Sequence, residues 1–346
     1  MAPETLTAAE IMAIPVGEPG RLFSGNIKTL ASEFRALAKR WHPDHNAGSP
    51  EAAAVFERVV ALWEAAERTV AGGVWWRPDA VRLATTGGRT FELKYKRRRA
   101  FELGEMAIAM RHVALLVEAR HAALFEAGLR RIREIRYPDA AIKAELQKFM
   151  PAVEGVYETA GRRIALLAKP ADVVLLADLI GHAGGALPPK HVAWVVSSLM
   201  NLACFFEASG LTHNALTTAT VFVTPQFHAA YPLAGWWYAL PAGSRLEALP
   251  EATFALLPPA IAAAKRADIR LDLECIRAVG RAALGDPTGF GLVGRRDLPR
   301  PMADFLRLPS SGSAIEDYRT WNEVLSDSFG PRRFLELPIT SSDVYP

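Results

Sequence analysis

Apolar residues recur at helical spacing near the beginning of the chain. Between Ile27 and Trp41 they share one face while basic residues occupy the others, which predicts an amphipathic helix. The helix is expected to end at His42-Pro43, because proline lacks a backbone donor and disfavours helical backbone in the residue before it. A second helix is predicted from Pro50, behind the N-cap Ser49, to about Gly72. The short connection predicts an antiparallel hairpin that packs together Phe34, Leu37, Phe56 and Val59.

From Val81 onward the apolar positions alternate instead. The run Val81–Thr85, the turn Thr86-Gly87-Gly88 and the run Arg89–Lys96 have the pattern of a β-hairpin. Four later runs are also predicted to be strands, and a charged helical segment at residues 120–148 separates the first of them from the second. These runs are Met106–Glu118, Val153–Thr159, Ile164–Ala168 and Val173–Leu176.

After Gly184-Gly185 the pattern becomes mainly helical. The predicted helices are Pro188–Ala208, Asp272–Leu284, Met302–Leu306 and Ala314–Leu325, with short strands near Val221–Val223 and Ala229–Leu233. A strand-rich half that leads into a helix-rich half predicts a bilobal α+β domain.

These patterns divide the chain into two domains. The first spans residues 1–73, with its core hairpin at residues 26–72, and a linker is predicted at residues 74–79. The second spans residues 80–346, with a strand-rich lobe at 80–180 and a helical lobe at 181–346.

Composition excludes several function classes. The chain has 346 residues, of which 50% are hydrophobic and 22% charged, so intrinsic disorder is excluded as its main state. The net charge of +3 is too small to predict a nucleic-acid partner. The two cysteines, Cys204 and Cys275, allow no disulfide framework and no multi-cysteine zinc site. Free buried thiols in a reducing compartment fit best.

Neither a secretory signal nor a membrane span is predicted. The N-terminus, Met1-Ala-Pro-Glu-Thr-Leu-Thr-Ala8, lacks the basic and apolar regions of a signal peptide. The most apolar long segment, 191–207, contains Ser197 and Asn201 and falls short of the roughly 18 apolar residues that a span needs. We therefore expect a buried helix there, and a cytoplasmic protein without a membrane partner.

The first hairpin carries the most specific motif of the chain. The sequence from Phe34 to Asn46 places His-Pro-Asp in a short polar loop, behind a basic helix and before a helix that contains Phe56. It resembles the J domain of the DnaJ co-chaperone family, over about a fifth of the chain. The chain departs from the family at the first helix. A J domain usually carries a Tyr-Leu-Leu-Gly type motif there, whereas this chain has only Leu22-Phe23-Ser24-Gly25.

The resemblance implies docking on a DnaK-type chaperone and stimulation of its ATP hydrolysis, with no chemistry in the J domain itself. The residues implied in docking are His42, Pro43 and Asp44 in the loop and Arg35, Lys39 and Arg40 on the helix. Their chemistry is compatible with that role, because Pro43 rigidifies the turn and the carboxylate of Asp44 can pair with a partner arginine.

Two other interpretations of these residues are open. The charges can form an ordinary solvated helix face, which is what such runs usually are. His42, Asp44 and His45 can converge on a metal ion, but the sequence supplies no obvious fourth ligand, so we predict no metal site.

The order of elements after residue 80 resembles the protein kinase fold. A long predicted helix is followed in the sequence by the segment Leu211-Thr-His213-Asn-Ala215, which continues to Thr220. The kinase catalytic loop would fall at this place. Asp272 stands near the start of a helix that resembles the buried helix anchoring the kinase helical lobe. An unrelated α+β domain is the alternative.

The positions that carry kinase chemistry differ from the family pattern. Ala215 stands in the place of the base, Thr220 in the place of the metal-binding asparagine, and Ala234-Gly235-Trp236 in the place of Asp-Phe-Gly. The strand His112–Glu118 contains no phosphate-pairing lysine, and Glu145 could occupy the glutamate position of the third kinase helix only without its partner. We therefore predict a pseudokinase-like domain with no catalytic residue and no cofactor. Four tryptophans are expected to be packing residues: Trp194, Trp236, Trp237 and Trp321.

Three hypotheses for function follow. The first is a non-enzymatic co-chaperone whose J domain recruits a DnaK-type chaperone while the kinase-like domain binds a client protein. The second is an atypical kinase or nucleotide-binding switch that a J domain targets. The third is a scaffold protein in which the J domain is vestigial.

Overall fold

A computed structural model describes residues 6–346 of the chain. The predicted absence of a signal peptide rests on the N-terminal sequence, of which positions 1–5 lie outside the described residues. The chain divides into two compact units. The first contains the residues up to Ala109 together with 114–121 and 155–166, and the second contains residues 110–113, 122–154 and 167–346.

The first unit opens with the predicted helical hairpin. Helix α2 (Leu30–Trp41) and helix α3 (Pro50–Ala71) are joined by a short loop, and the side chain of Ser49 accepts the backbone N–H of Ala52 at 3.2 Å. Leu37 and Val59 are fully buried, as the apolar spacing predicted.

One predicted packing contact of the hairpin differs. Phe34 stacks on Trp63, with 4.4 Å between the ring centroids, whereas Phe56 lies against the ring of His42 at 5.3 Å. The second helix therefore uses the Trp63 turn of its apolar stripe to cover Phe34, and the Phe56 turn supports the loop.

The segment before the hairpin forms more structure than its sequence suggested. A short helix α1 (Ala8–Met12), with Thr7 as its N-cap, packs on α3 through the fully buried Ile11. Leu22 and Phe23, which stand in the place of the usual first-helix motif, follow a single 3-10 turn at Pro19–Arg21 and are buried in the hairpin core.

The predicted linker at residues 74–79 is partly a strand. Strand β1 (Val74–Trp76) pairs with β2 (Ala80–Ala84), which pairs with β3 (Thr90–Lys94), and all three are antiparallel. Side chains alternate across a strand. Trp75 accordingly belongs to the core of the hairpin, while Val74 and Trp76 belong to the core under the sheet. The three-residue strand thus joins two cores, which is why no free linker separates them.

A second sheet has five strands. Its order is β4-β5-β6-β8-β7, and the predicted strand at 106–118 is in fact two strands joined by a turn. The edge strand β4 carries the basic run Arg97–Arg99, in keeping with charged residues that protect sheet edges. The strands are β4 (Arg97–Phe101), β5 (Gly104–Ile108), β6 (His112–Glu118), β7 (Ala152–Glu158) and β8 (Arg162–Ala168).

The second unit is mainly helical. The predicted charged segment at 120–148 is split into α4 (Ala122–Arg133) and α5 (Ala140–Leu146). The predicted strand at 173–176 is only β9 (Val174–Leu175), and the chain then enters the helix α6 (Leu176–His182) that sequence analysis missed.

The remaining helices agree in position with the prediction or are short additions. They are α7 (Pro189–Ala208), α8 (Glu251–Phe254), α9 (Pro259–Ala264), α10 (Ile269–Ala283), α11 (Arg300–Arg307), α12 (Ala314–Phe329) and α13 (Ser341–Val344). The short strands are β10 (Leu211–Thr212), β11 (Val221–Val223), β12 (Ala230–Pro232) and β13 (Leu240–Pro241), with β11 between β12 and β9.

Helix α7 is the centre of this unit. By length and composition alone it could cross a membrane, since its most apolar window has a mean hydropathy of 1.3. That window is 67% buried inside the chain, where α7 packs against α10 and α12. The core helix of a folded domain passes the same test, and this burial agrees with the predicted buried helix.

Candidate functional site

The loop between α2 and α3 has a fixed turn at its tip. His42 ends α2 in extended backbone conformation, and Pro43–His45 form one 3-10 turn. The Nδ1 atom of His42 accepts the backbone N–H of Asp44 at 3.1 Å. The side chain of Asp44 is 84% exposed, so its carboxylate stands at the surface on a backbone that Pro43 and His42 hold in place.

Both helices brace this loop. The side-chain amide of Asn46 donates to the carbonyl oxygens of Arg40 at 2.9 Å and His42 at 3.1 Å. The ring of His42 also meets Phe56 of α3 edge-on. These contacts join the end of one helix to the beginning of the next, so the tripeptide is preorganised rather than a loose connection.

The predicted basic residues lie on the helix that leads into the loop. Arg35, Lys39 and Arg40 are all exposed on α2. The guanidinium of Arg40 lies over the ring of Trp41 at 4.9 Å, and Nε of Arg35 donates to the carbonyl of Ala31. The exposed cations and the Asp44 carboxylate thus belong to one hairpin.

His42, Asp44 and His45 do not form a group that could hold a metal ion. The rings of His42 and His45 are 6.0 Å apart between centroids. Among residues 6–346 no group of three or more His, Cys, Asp or Glu side chains is arranged to hold a metal ion.

In the second unit, the segment that resembles a kinase catalytic loop is anchored on α10. The two carboxylate oxygens of Asp272 accept the backbone N–H groups of His213 and Asn214, each at 2.7 Å. Asn214 has the left-handed φ of 61°, and its side-chain amide donates to the hydroxyl of Thr212 and the carbonyl of Tyr238. The aspartate predicted to anchor the helical lobe therefore does so through backbone hydrogen bonds.

Burial dominates the electrostatics of this anchor. It raises the pKa of Asp272 to about 7, although the hydrogen bonds from His213 and Asn214 act in the opposite direction. It also lowers the pKa of His213 to about 3, which the backbone of Ala234 offsets only in part. The ring of His213 is fully buried and lies edge-on to Trp236, with 5.1 Å between the ring centroids.

The two other predicted positions of this loop are occupied by groups with local roles. Ala215 is fully buried and offers only a methyl group. The hydroxyl of Thr220 donates to the carbonyl of Ala215 at 2.5 Å and accepts the N–H of Thr217 at 2.9 Å. The loop is therefore closed by its own hydrogen bonds, without a carboxylate or an amide at either position.

The segment Ala234-Gly235-Trp236 continues into a 3-10 turn that packs on α4. Trp236 and Tyr238 are buried, and Gly235 has φ of 88°. Gly128 permits the close approach of α4, because a Cβ there would lie 2.9 Å from the backbone nitrogen of Trp237. Glu145, predicted for the glutamate position of the third kinase helix, is exposed on the separate helix α5.

One further contact in this unit could not be predicted from the sequence. The phenol of Tyr345 donates to Asp178 at 2.7 Å and accepts the backbone N–H of Leu175 at 3.0 Å, and all three are buried. The last residues therefore hold the start of α6. Nothing in the local pattern around Tyr345 predicts a partner about 170 residues earlier in the chain.

Comparison with known proteins bears on the fold. The structure of vaccinia related kinase 3 is similar to this chain with a TM-score of 0.50 and 14% sequence identity, over 73% of this chain and 93% of that one. No protein-family model matches the chain, and no curated protein sequence does. A likeness at this identity shows the fold alone: most of the chain has a protein-kinase-like fold with a strand-rich lobe and a helical lobe.

Proposed function

We propose that this protein is a co-chaperone whose helical hairpin docks on a DnaK-type chaperone and stimulates its ATP hydrolysis. The observation that carries the proposal is the preorganised turn at the end of a basic helix. Asp44 is exposed there, and its backbone N–H is held by His42. The turn is tied to the end of α2 through Asn46 and to α3 through the contact of His42 with Phe56. A fixed and exposed carboxylate loses little freedom when a partner arginine binds it.

The basic face of α2 adds long-range attraction in this proposal. Arg35, Lys39 and Arg40 would steer the hairpin to an acidic surface, which raises the association rate most strongly at low ionic strength. The Asp44 carboxylate would then make the specific contact. Docking should accordingly combine a salt-dependent contribution with one that depends on a single side chain.

We further propose that the kinase-like region binds a client or partner protein and does not transfer phosphate. Metal-assisted phosphoryl transfer requires a base and carboxylate or amide ligands for magnesium. The positions implied for them are occupied by Ala215, Thr220 and Ala234, and the hydroxyl of Thr220 is engaged in closing its own loop. Binding of a client by this region would raise the local concentration of the recruited chaperone beside it.

Docking is tested by measuring the affinity of the full chain for an ATP-bound DnaK-type chaperone from the same host. Asp44→Asn should abolish measurable binding, whereas the matched control Glu57→Gln, an exposed charge on α3 of the same hairpin, should leave it unchanged. Lys39→Gln together with Arg40→Gln should weaken binding more at low than at moderate salt. Equal affinities for the wild type and Asp44→Asn would refute docking through this loop.

The second part of the proposal is tested with magnesium and ATP. A ligand that binds the folded state raises its melting temperature. Because we expect neither to bind, the melting temperature of the full chain should not change when both are added in excess over ordinary kinase affinities. A clear, saturable stabilisation would favour the atypical kinase or nucleotide-switch hypothesis instead.

A further inference from the structure

The second unit contains a cavity of about 260 Å³ that the proposed function does not use. It lies between the first turns of α7, the end of α12 and the irregular segment 330–335 that follows α12. Its walls are mostly apolar, and the side chains that form them are Ala193, Trp194, Leu325, Phe329, Pro331 and Leu335. The volume is just below the range of about 300–1,000 Å³ that is usual for pockets of drug-sized ligands, so the cavity suits a smaller molecule.

Three cations line the same cavity, and no carboxylate does. They are Lys190, Arg332 and Arg333. The guanidinium of Arg332 donates to Asn322 at 3.0 Å and lies 5.9 Å from the centroid of Trp194. Neither Lys190 nor Arg333 has an ion-pair or hydrogen-bond partner within the described part of the chain. Two unpaired cations beside apolar walls favour a ligand with one anionic end.

The polar group in the cavity wall is already satisfied. The hydroxyl of Ser197 accepts the indole N–H of Trp321 at 2.8 Å and donates to the carbonyl of Ala193 at 2.8 Å. A ligand therefore gains nothing from a polar group at that end of the cavity, and an apolar tail fits it best.

Trp194 is positioned to cover such a tail. It is only partly buried on α7, and its ring meets Phe334 at 6.2 Å between centroids. Phe334 itself is 57% exposed and Leu335 is 41% exposed, although both are large apolar side chains. The irregular segment thus presents apolar groups at the edge of the cavity that a ligand would shield from water.

We propose that this cavity binds a small monocarboxylate with an apolar chain, its carboxylate between Lys190 and Arg333 and its chain against Trp194 and Leu325. The charges select the anionic end and the walls select the chain, so both parts of the ligand contribute. The site is independent of the co-chaperone function, because the hairpin and this cavity share no residue.

Isothermal titration calorimetry of the full chain tests the site with three probes: octanoate, octan-1-ol and acetate. Octanoate should bind at one site, and Lys190→Gln combined with Arg333→Gln should weaken that binding by about tenfold or more. The same variant should leave octan-1-ol binding within about twofold, because the alcohol carries no charge. Acetate should show no binding, because it lacks the chain.

The control variant combines Arg296→Gln with Arg319→Gln. Both arginines are exposed, and the two substitutions remove the same charge elsewhere in the unit. It should bind octanoate within about twofold of the wild type. Trp194→Ala should weaken the binding of octanoate and of octan-1-ol alike. Unchanged far-ultraviolet circular dichroism would show that each variant is folded. Three results would each overturn the proposal: no octanoate binding up to about 5 mM, equal affinities for octanoate and octan-1-ol, or equal losses in the control.

Discussion

The indole ring of Trp75 occupies the space in which a side chain at Gly25 would stand. A Cβ atom added to Gly25 would lie 2.1 Å from Cε2 of the ring, and the backbone there has φ of +69°. The guanidinium of Arg82 donates to the carbonyl oxygen of Gly25. Since Trp75 lies on β1 and Arg82 on β2, the segment that leads into the hairpin is tied to the first sheet by packing and by a hydrogen bond.

Replacement of Gly25 should therefore cost more than the loss of an ordinary turn glycine. We expect Gly25→Ala to lower the free energy of unfolding by about 3 kcal/mol, because it adds a clash with Trp75 to backbone strain. Gly88→Ala is the matched control: its φ is +78°, but no atom lies within 4 Å of an added Cβ. It should cost about 1 kcal/mol. Urea denaturation of both variants measures the difference, and equal losses would contradict the packing described here.

Trp75 should also control the stability of the hairpin itself. Truncation of a buried tryptophan costs about 3–5 kcal/mol, and Trp75 is 2% exposed within the hairpin core. In Trp75→Ala we expect the backbone amides of α2 and α3 to exchange hydrogen faster than in the wild type. Unchanged protection would mean that the hairpin is independent of β1, as the predicted linker at residues 74–79 implied.

A buried ion pair holds α10 to α12. Nη1 of Arg277 lies 2.7 Å from Oδ2 of Asp317, and both side chains are 3% exposed or less. Asp317→Ala should lower the free energy of unfolding by about 3–5 kcal/mol, because it leaves a buried charge without its partner. The combined Arg277→Met and Asp317→Leu variant should lose less than this single change.

The pair Arg295–Asp297, in which Arg295 is partly exposed and Asp297 is exposed at the surface, provides the comparison. Asp297→Ala should change the stability by about 1 kcal/mol at most. If chemical denaturation gave the same loss for Asp297→Ala and Asp317→Ala, burial would not be what makes the α10–α12 pair important.

Acid should weaken the second unit through His213. Burial lowers its pKa to about 3 from an ordinary 6.5, so the unfolded chain takes up a proton at a higher pH than the folded one does. The stability that neutral His213 contributes is complete above pH 6.5 and is lost as the pH falls towards 3. The raised pKa of Asp272, about 7, acts in the opposite sense, since its contribution is lost as the pH rises from 3.8 to 7.

A variant isolates the histidine contribution, because His213→Leu retains Asp272 and its backbone partners. Between pH 6.5 and about 5, the variant should lose about 2 kcal/mol less stability than the wild type does. Urea midpoints at the two pH values measure this difference. Parallel losses in the two proteins would contradict the burial of a neutral ring at this position.

Local signals explain which parts of the fold could be predicted. The N-cap Ser49, Pro50 at the first helical position and a long apolar stripe define α3, and their effects depend only on neighbouring residues. The turn Thr86-Gly87-Gly88 likewise defined the β2–β3 hairpin, with Ala84 opposite Thr90.

Short apolar runs were the main source of error. The run from Val173 to Asp178 has the composition of a buried strand, but it contains a two-residue strand and the beginning of α6, and periodicity cannot separate the two over so few residues. The prediction of a linker at residues 74–79 was wrong for a related reason. A strand of three residues is too short to show alternation, so only the packing of Trp75 and Trp76 into different cores reveals it.

The candidate sites divide in the same way. The loop residues His42, Pro43 and Asp44 are adjacent in sequence, so a local motif is enough to identify them. The cavity beside Trp194 joins α7 to a segment about 140 residues later, and no local pattern connects Lys190 with Arg333. Tertiary packing alone brings these cations together.

The rate of ATP hydrolysis by a DnaK-type chaperone from the same host tests the central claim most directly. We would measure it in a single turnover, with the wild-type chain, Asp44→Asn and Glu57→Gln, at low and at moderate salt. We predict stimulation by the wild type and by Glu57→Gln, greater at low salt, and no stimulation by folded Asp44→Asn. Stimulation by Asp44→Asn equal to that of the wild type, or none by any of the three proteins, would contradict a co-chaperone role for this hairpin.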